Sequence, residues 1–330
     1  METERYRKEL QVHCYRMLGS TFEAEDAVQE TMLRAWRASG RFEGRTTVRN
    51  WLYRIATNVC LDALARRKAP RRLVPERSGP PSALLPAGPP LGELEWLEPY
   101  PDSALEGIPD ADPDPPARYE AREATQLAFV AAIQYLPPRQ RAVLLLRDVI
   151  GCSAAETANA LEMSVASANS ALQRARETLK KNLPSRESIA SSALAEGTQR
   201  LLLDRYVHAW ERADLDELVG LLKEDAVFSM PPRREWYRGR AKILELLQWA
   251  LPASGCEAFY LVPTGANGQP AFAVYGRDEG SSELHAHALH VLTLEENQIL
   301  VLSNFMNTAI FSAFHLPLVL PSEADLSLHR

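Results

Sequence analysis

The chain is poor in cysteine. Cys14, Cys60, Cys152 and Cys256 are scattered and form no C-x-x-C pair. That argues against a disulfide framework or a zinc site and fits a reducing compartment. No apolar run approaches the roughly 18–20 residues needed to cross a bilayer. The first ten residues, METERYRKEL, are charged and lack the apolar core of a signal peptide. A cytoplasmic location is expected. No internal repeat is visible. An excess of positive charge is also missing, since the net charge is −6. Taken alone, that value argues against a nucleic-acid partner.

The average hides strong asymmetry. Residues 1–72 carry 15 Lys and Arg against 9 Asp and Glu; residues 73–125 carry 3 against 11. Residues 126–186 carry 8 against 4, and residues 187–330 carry 11 against 19. Two basic blocks are thus separated by an acidic segment and followed by an acidic domain, a pattern that speaks about partners. At 330 residues and 46% hydrophobic, two or three domains with real cores are expected.

Apolar positions recur at three- and four-residue spacing through residues 1–72, with no proline before Pro70, which predicts helices. Residues 73–122 are proline-dense and acidic and read as a flexible or extended linker. Helical periodicity returns over 123–186, where Pro137-Pro138 ends one helix and starts the next. From about Thr198 two helices run into a strand, AKILELLQWA is another helix, and four strand-like runs follow. Hairpin turns are expected at Gly265–Gln269 and Glu295–Asn297. The last domain, 198–325, is therefore expected to be α+β, with helices on one face of a curved antiparallel sheet.

The first block holds two chemically distinct helices. On EAEDAVQETMLRAW, Glu23, Asp26 and Glu30 share a face with Gln29, while Ala24, Val28, Leu33 and Trp36 supply core. An acidic face suits a basic partner, although a plain solvated face gives the same pattern. On the next helix Leu52, Ile55, Val59 and Ala63 form the apolar stripe. Arg54, Asn58 and Asp62 form a polar one, extended by Arg66 and Arg67. Arginines contact phosphates and amides read base edges. Phe42 and Trp51 flank the loop EGRTTVRN; aromatics beside cations suit unstacked bases, and equally suit an ordinary core.

Residues 139–182 match a helix-turn-helix. RQRAVLLLRDVIG supports, SAAETANAL is the first helix, and Ser164 caps VASANSALQRARETLKK as the recognition helix. Ser167, Asn169 and Ser170 would face a major groove, with Arg174 and Arg176 nearer phosphates. A three-helix interaction module has the same pattern.

Together these residues resemble an RNA polymerase sigma factor of the extracytoplasmic-function type. AEDAVQETMLRAW is similar to the core-binding helix of region two. FEGRTTVRNWLYRIATNVCLDALARRK is similar to its minus-ten and melting element. LPPRQRAVLLLRDVIGCSAAETANALEMSVASANSALQRARETL is similar to region four. The resemblance covers most of residues 10–183. It implies a sigma factor that binds core RNA polymerase, through its largest-subunit clamp coiled coil and flap, and opens promoter DNA. Asp26, Gln29 and Glu30 would meet the clamp. Asn58, with Phe42 and the intervening loop, would hold a flipped-out minus-ten base, offsetting the few kcal/mol that extrusion costs. Asn169, Ser170 and Arg174 would meet the minus-thirty-five element. One departure stands out: Ala166, Asn169 and Ala171 replace the usual glycine, basic residue and arginine. Fewer phosphate contacts and a shallower salt dependence follow.

Residues 198–320 resemble a SnoaL-like domain, the cone shared with nuclear transport factor two. Such tails modulate sigma activity in the class this implies. Trp210, Trp236, Tyr237, His287 and Asn304 are candidate lining residues of a pocket; a filled hydrophobic cone is the simpler reading. Strand alternation puts His285 and His287 on one face and His290 on the other, so no three-histidine metal site is expected, and no cofactor. The acidic tail is expected to contact the two basic blocks. The fold class expected is thus multidomain: two all-α domains plus an α+β cone. Two other classes stay open. One is a SnoaL-like enzyme with helical appendages, and the other is a helix-turn-helix regulator that senses a ligand.

Overall fold

A computed structural model describes residues 3–42, 44, 46–67, 72–86, 96–105, 127–182 and 196–320. The chain divides into two units. One comprises Met1–Leu73 with Leu97–Leu183, and the other Val74–Trp96 with Pro184–Arg330.

The first unit is helical. α1 (Arg7–Leu18), α2 (Thr21–Ala38) and α3 (Val48–Arg66) pack against one another. Local chemistry fixes their ends. α1 stops at Gly19, whose φ of +71° favours glycine, and an added Cβ would meet the Leu97 side chain at 3.0 Å. Ser20 caps α2 by accepting from Glu23 N at 3.2 Å, and Thr47 caps α3 by accepting from Asn50 N at 3.1 Å. The α2 core stripe is small: Ala24, Ala27, Val28, Thr31 and Ala35.

The second helical block holds α4 (Leu127–Ile133) and α5 (Pro138–Leu144), which continues as a π-helical turn over Leu145–Val149. α6 (Ala154–Ala160) and α7 (Val165–Asn182) complete it. Ser153 and Glu156 form a reciprocal capping box on α6, and Ser164 accepts from Ser167 N at 3.1 Å at the start of α7. α5 packs on α1 and α3, so the two blocks form one body. At their junction Arg141 is fully buried. Its guanidinium donates to the carbonyls of Ile133 (3.0 Å), Gln134 (3.0 Å) and Leu136 (3.3 Å), to Gln134 Oε1 (2.7 Å), and to the Met17 carbonyl of α1.

The described linker residues of this unit are pinned. Glu98 accepts from Ser20 Oγ at 2.8 Å and from Thr21 N at 2.9 Å. Its amide donates to the Gly19 carbonyl at 3.0 Å, and its own carbonyl accepts from Tyr15 at 2.8 Å. A proline-rich composition predicts an extended chain but carries no signal for such long-range anchors.

The second unit is α+β. α8 (Glu196–Glu211), α9 (Leu215–Gly220) and α10 (Arg240–Ala253) accompany a sheet. Its strands are β1 (Leu222–Ser229), β2 (Trp236–Arg238), β3 (Cys256–Ala266), β4 (Gln269–Asp278), β5 (Leu284–Glu295) and β6 (Gln298–Phe305). A short α11 (Ile310–Ala313) and β7 (Val319–Leu320) follow. The strand order is β2-β1-β6-β5-β4-β3, with β7 on β5; β1 and β6 are parallel and the other pairs antiparallel. The β3–β4 and β5–β6 turns fall at Asn267-Gly268 and Glu296-Asn297, all four with positive φ, as two-residue hairpins require. The core joins Tyr206 and Trp210 of α8 and Leu246 of α10 to Phe228, Leu261, Phe272, Leu292 and Leu302 of the sheet.

Candidate nucleic-acid interface

The α3 surface carries the polar stripe. Arg54 and Arg66 are exposed and Asn58 is half-buried, while Leu52, Tyr53, Ala56 and Val59 face the core. Asp62 is exposed and pairs with Arg34 of α2 at 3.0 Å. Phe42 and Trp51 are both partly exposed and pack in a tilted pair with ring centroids 5.0 Å apart. Guanidinium, amide and paired aromatics therefore share one side of the first bundle. Arg67 does not join them. Its side chain is buried, bonded to the Leu18 carbonyl at 3.0 Å and to Glu23. The helix ends at Arg66, which turns Arg67 inward, away from the residues expected to contact phosphates.

This surface is engaged within the unit. Asn50 Nδ2 donates to Glu156 Oε1 at 2.7 Å, and Asn58 Nδ2 donates to the Ala160 carbonyl at 3.5 Å. Arg54 lies 4.0 Å from Glu162. The first helix of the helix-turn-helix and the turn after it offer acceptors to these α3 side chains.

On α2 the exposed stripe contains Asp26, Gln29, Leu33 and Trp36, with Glu30 half-buried and paired to Arg34 at 2.7 Å. Two expectations need correction here. Leu33 and Trp36 are 41% and 75% exposed rather than core, because the small stripe of Ala24 to Ala35 meets α1 and α3. Glu23 leaves the acidic face and pairs with Arg67 and, at 3.2 Å, with Arg72.

On α7, Ser167, Asn169, Ser170 and Arg174 are all exposed, while Ala168, Ala171, Leu172 and Ala175 are buried. Arg176 forms a two-pronged ion pair with Asp148 at 2.7 and 2.9 Å. A shallow groove beside it is lined by Arg147, Asn169, Gln173 and Arg176.

In the C-terminal unit the aromatic centre is Tyr206, Trp210, Phe259, His287 and His290. Tyr206 Oη and His290 Nδ1 are 2.8 Å apart, and the Trp210 and His290 rings 4.9 Å. Burial holds the His290 imidazole neutral, down to about 3, and drives the Tyr206 phenol well above its usual range. Asn304 is the cross-strand partner of His290, and its Oδ1 is buried without a hydrogen-bond partner. Tyr275 pairs with Ala286 and Val274 with Ala288, so His287 is an extra residue in the strand. That bulge brings His287 to Phe259 (5.2 Å), on the side of His290, where simple alternation would separate them. Tyr206 and His290 are not among the residues that the sequence singles out for this pocket. Their signals were the four-residue spacing of Tyr206 and Trp210, and the even register of His290 with Ala288 and Leu292. Trp236 and Tyr237 are buried, but their polar atoms reach the linker instead. Among the described residues no group of His, Cys, Asp and Glu is placed to hold a metal, and no helix is long and apolar enough to cross a membrane.

Residues 3–69 match Sigma-70 region 2, residues 126–179 match Sigma-70 region 4, and residues 203–301 match the SnoaL-like domain. The ECF RNA polymerase sigma factor SigG of Mycobacterium tuberculosis is 44% identical over 322 residues, 96% of this chain and 83% of that protein. SigJ of the same organism is 29% identical over 236 residues, 69% of this chain and 63% of SigJ. The crystal structure of SigJ shares the fold, with a TM-score of 0.57, 23% identity, and coverage of 96% of this chain and 99% of that one. Two sigma regions in order, a SnoaL-like tail, and close identity along nearly the whole length place this chain in the family of ECF RNA polymerase sigma factors.

Proposed function

We propose that α3 and the loop before it capture unpaired minus-ten bases, that the exposed α2 stripe docks on core RNA polymerase, and that α7 reads the minus-thirty-five element. The reading takes residues 1–72 as region two, 73–122 as linker, 123–186 as region four and 198–325 as the modulating tail. As a sigma factor the chain initiates transcription with core polymerase at promoters and has no enzymatic step of its own. It works in the cytoplasm.

The observation that carries this reading is the α3 surface. Arg54 and Asn58 stand beside the Phe42–Trp51 pair on a helix whose other side is core. Cations hold the backbone and the aromatics offer stacking to bases that have left the duplex. The same surface bonds to α6 in the free chain. Promoter capture therefore requires the two helical blocks to part, a step that polymerase binding would drive by holding them apart.

Run-off transcription tests this, using purified core polymerase and genomic fragments, with the full chain and with residues 1–186. Promoter-specific transcripts are expected, and the difference between the two proteins gives the sign of the tail's control. No transcripts and no core binding from either would overturn the assignment.

A further inference from the structure

Trp236 and Tyr237 hold a segment of the chain's own linker. The Ser82 amide donates to the Trp236 carbonyl at 2.7 Å, and Trp236 Nε1 donates to the Gly79 carbonyl at 3.0 Å. The Tyr237 hydroxyl donates to the Leu84 carbonyl at 3.2 Å, and Leu85 packs against the hydrophobic core of the cone. Further along, Trp96 Nε1 donates to the Pro232 carbonyl at 2.8 Å.

The contacts have a common character. Three of them read the linker backbone, at Gly79, Ser82 and Leu84, and one apolar side chain, Leu85, packs against the core. Folded domains recognise peptides in this way: main-chain bonds give affinity and a side-chain contact gives selectivity. Pro80, Pro81 and Pro86 suit the part. Each fixes φ and brings no N–H that would need a partner, so less freedom is lost on docking.

We propose that the C-terminal domain is a peptide-binding module whose resident ligand is the Ser78–Pro86 segment, and that occupancy of this groove sets sigma activity. The ligand class is a bent, proline-flanked peptide with a leucine at the position of Leu85. The proposal rests on the reading of the tail as a modulator and supplies its lever. The segment falls within Val74–Trp96, between the two DNA-reading blocks. Fully extended, 23 residues span roughly 75 Å, so releasing the segment lengthens the tether between the blocks. Minus-ten and minus-thirty-five elements lie about 25 base pairs apart, roughly 85 Å of B-DNA, so tether length governs whether both are reached at once.

Hydrogen exchange by mass spectrometry on the full chain tests the binding. Variants Leu85→Asp, which changes only the linker, and Tyr237→Phe, which removes one bond, are compared with the unmodified protein. Amides of residues 82–85 should be protected in the unmodified chain and lose protection by at least about tenfold in Leu85→Asp, while β1 and β6 stay protected. A synthetic peptide of residues 76–86, added to Leu85→Asp, should restore protection around Trp236. Wild-type linker amides that exchange as fast as the free peptide would overturn the proposal. So would a synthetic peptide that leaves the groove unchanged. Run-off transcription on the same proteins reads the second half: Leu85→Asp should change promoter output at least about threefold, and unchanged output would overturn the regulatory claim. If no protein yields transcripts from any promoter, the sigma assignment fails, while the exchange result still decides the groove.

Discussion

Asn50 and Glu156 are joined by a 2.7 Å hydrogen bond from the asparagine amide to the carboxylate. They lie 106 residues apart, on the two helical blocks of the first unit. Glu156 already completes the capping box of α6, and Ser153 and Asn50 together hold its carboxyl below the usual range. An ionised acceptor is thereby fixed against α3.

Cross-linking these positions should lock the protein out of its DNA-binding state. With Cys256→Ser as background, Asn50→Cys and Glu156→Cys joined by a short thiol cross-linker should lower affinity for a minus-ten fork oligonucleotide at least about tenfold relative to the uncross-linked variant, since only the parted state binds. Gel shifts at fixed salt provide the measurement. Equal affinity before and after cross-linking would sink the idea.

Arg141 is the rivet of the same junction. It bonds only to carbonyl and amide oxygens, and burial pulls its guanidinium down to about 9, still charged at neutral pH. Arg141→Met leaves those acceptors unpaired and should destabilise the helical unit by about 3 kcal/mol or more. Arg141→Lys should rescue little, because three rotating donors do not reproduce the planar fork. Urea titration of the full chain, followed by a probe in α1, decides the matter; a loss below about 1 kcal/mol would contradict the role.

Trp36 is exposed beside Leu33 on α2. Trp36→Ala should leave thermal stability nearly unchanged and weaken binding to core polymerase at least about tenfold, as loss of an aromatic anchor does. A stability loss with unchanged core affinity would return Trp36 to a structural role.

His290 has a folded pKa near 3, against 6.5 for the unmodified side chain. Between those values the unfolded chain binds a proton that the folded chain refuses. Stability is therefore full above pH 6.5 and falls with acidity, by about 1.4 kcal/mol per pH unit for this one group. His13, buried on Thr57 Oγ1 at 2.9 Å, behaves alike in the other unit. Denaturation of the C-terminal unit at pH 7.5 and 5.5 should show a steeper loss in the unmodified chain than in His290→Gln. Identical slopes would mean that His290 does not enter the cone neutral.

What could be read in the chain beforehand was local. Ser164 and Asn267-Gly268 mark their cap and turn within four residues, and the structure uses each of them so. The α3 stripe was legible because a helical period sorts Arg54 and Asn58 from Leu52 and Val59. What escaped depends on partners far along the chain. Leu33 and Trp36 read as core because periodicity cannot say where a helix finds its neighbour. Glu23 and Arg67 each read as surface charge until placed 44 residues apart in one ion pair. Trp236 and Tyr237 read as pocket lining, since nothing near them points to a segment more than 150 residues upstream.

The linker's anchorage also imposes an order in time. The groove at Trp236 belongs to β2, which pairs with β1, and β1 lies parallel to β6, a strand that ends at Phe305. Both DNA-reading blocks are complete by Leu183. At synthesis rates of roughly 5–20 residues per second, on the order of ten seconds separate the two events on the ribosome. Each newly made molecule thus passes through a period in which its helical half exists and its linker has nothing to bind. A ribosome stalled or a message cut within that window would release a sigma factor whose tether was never fastened.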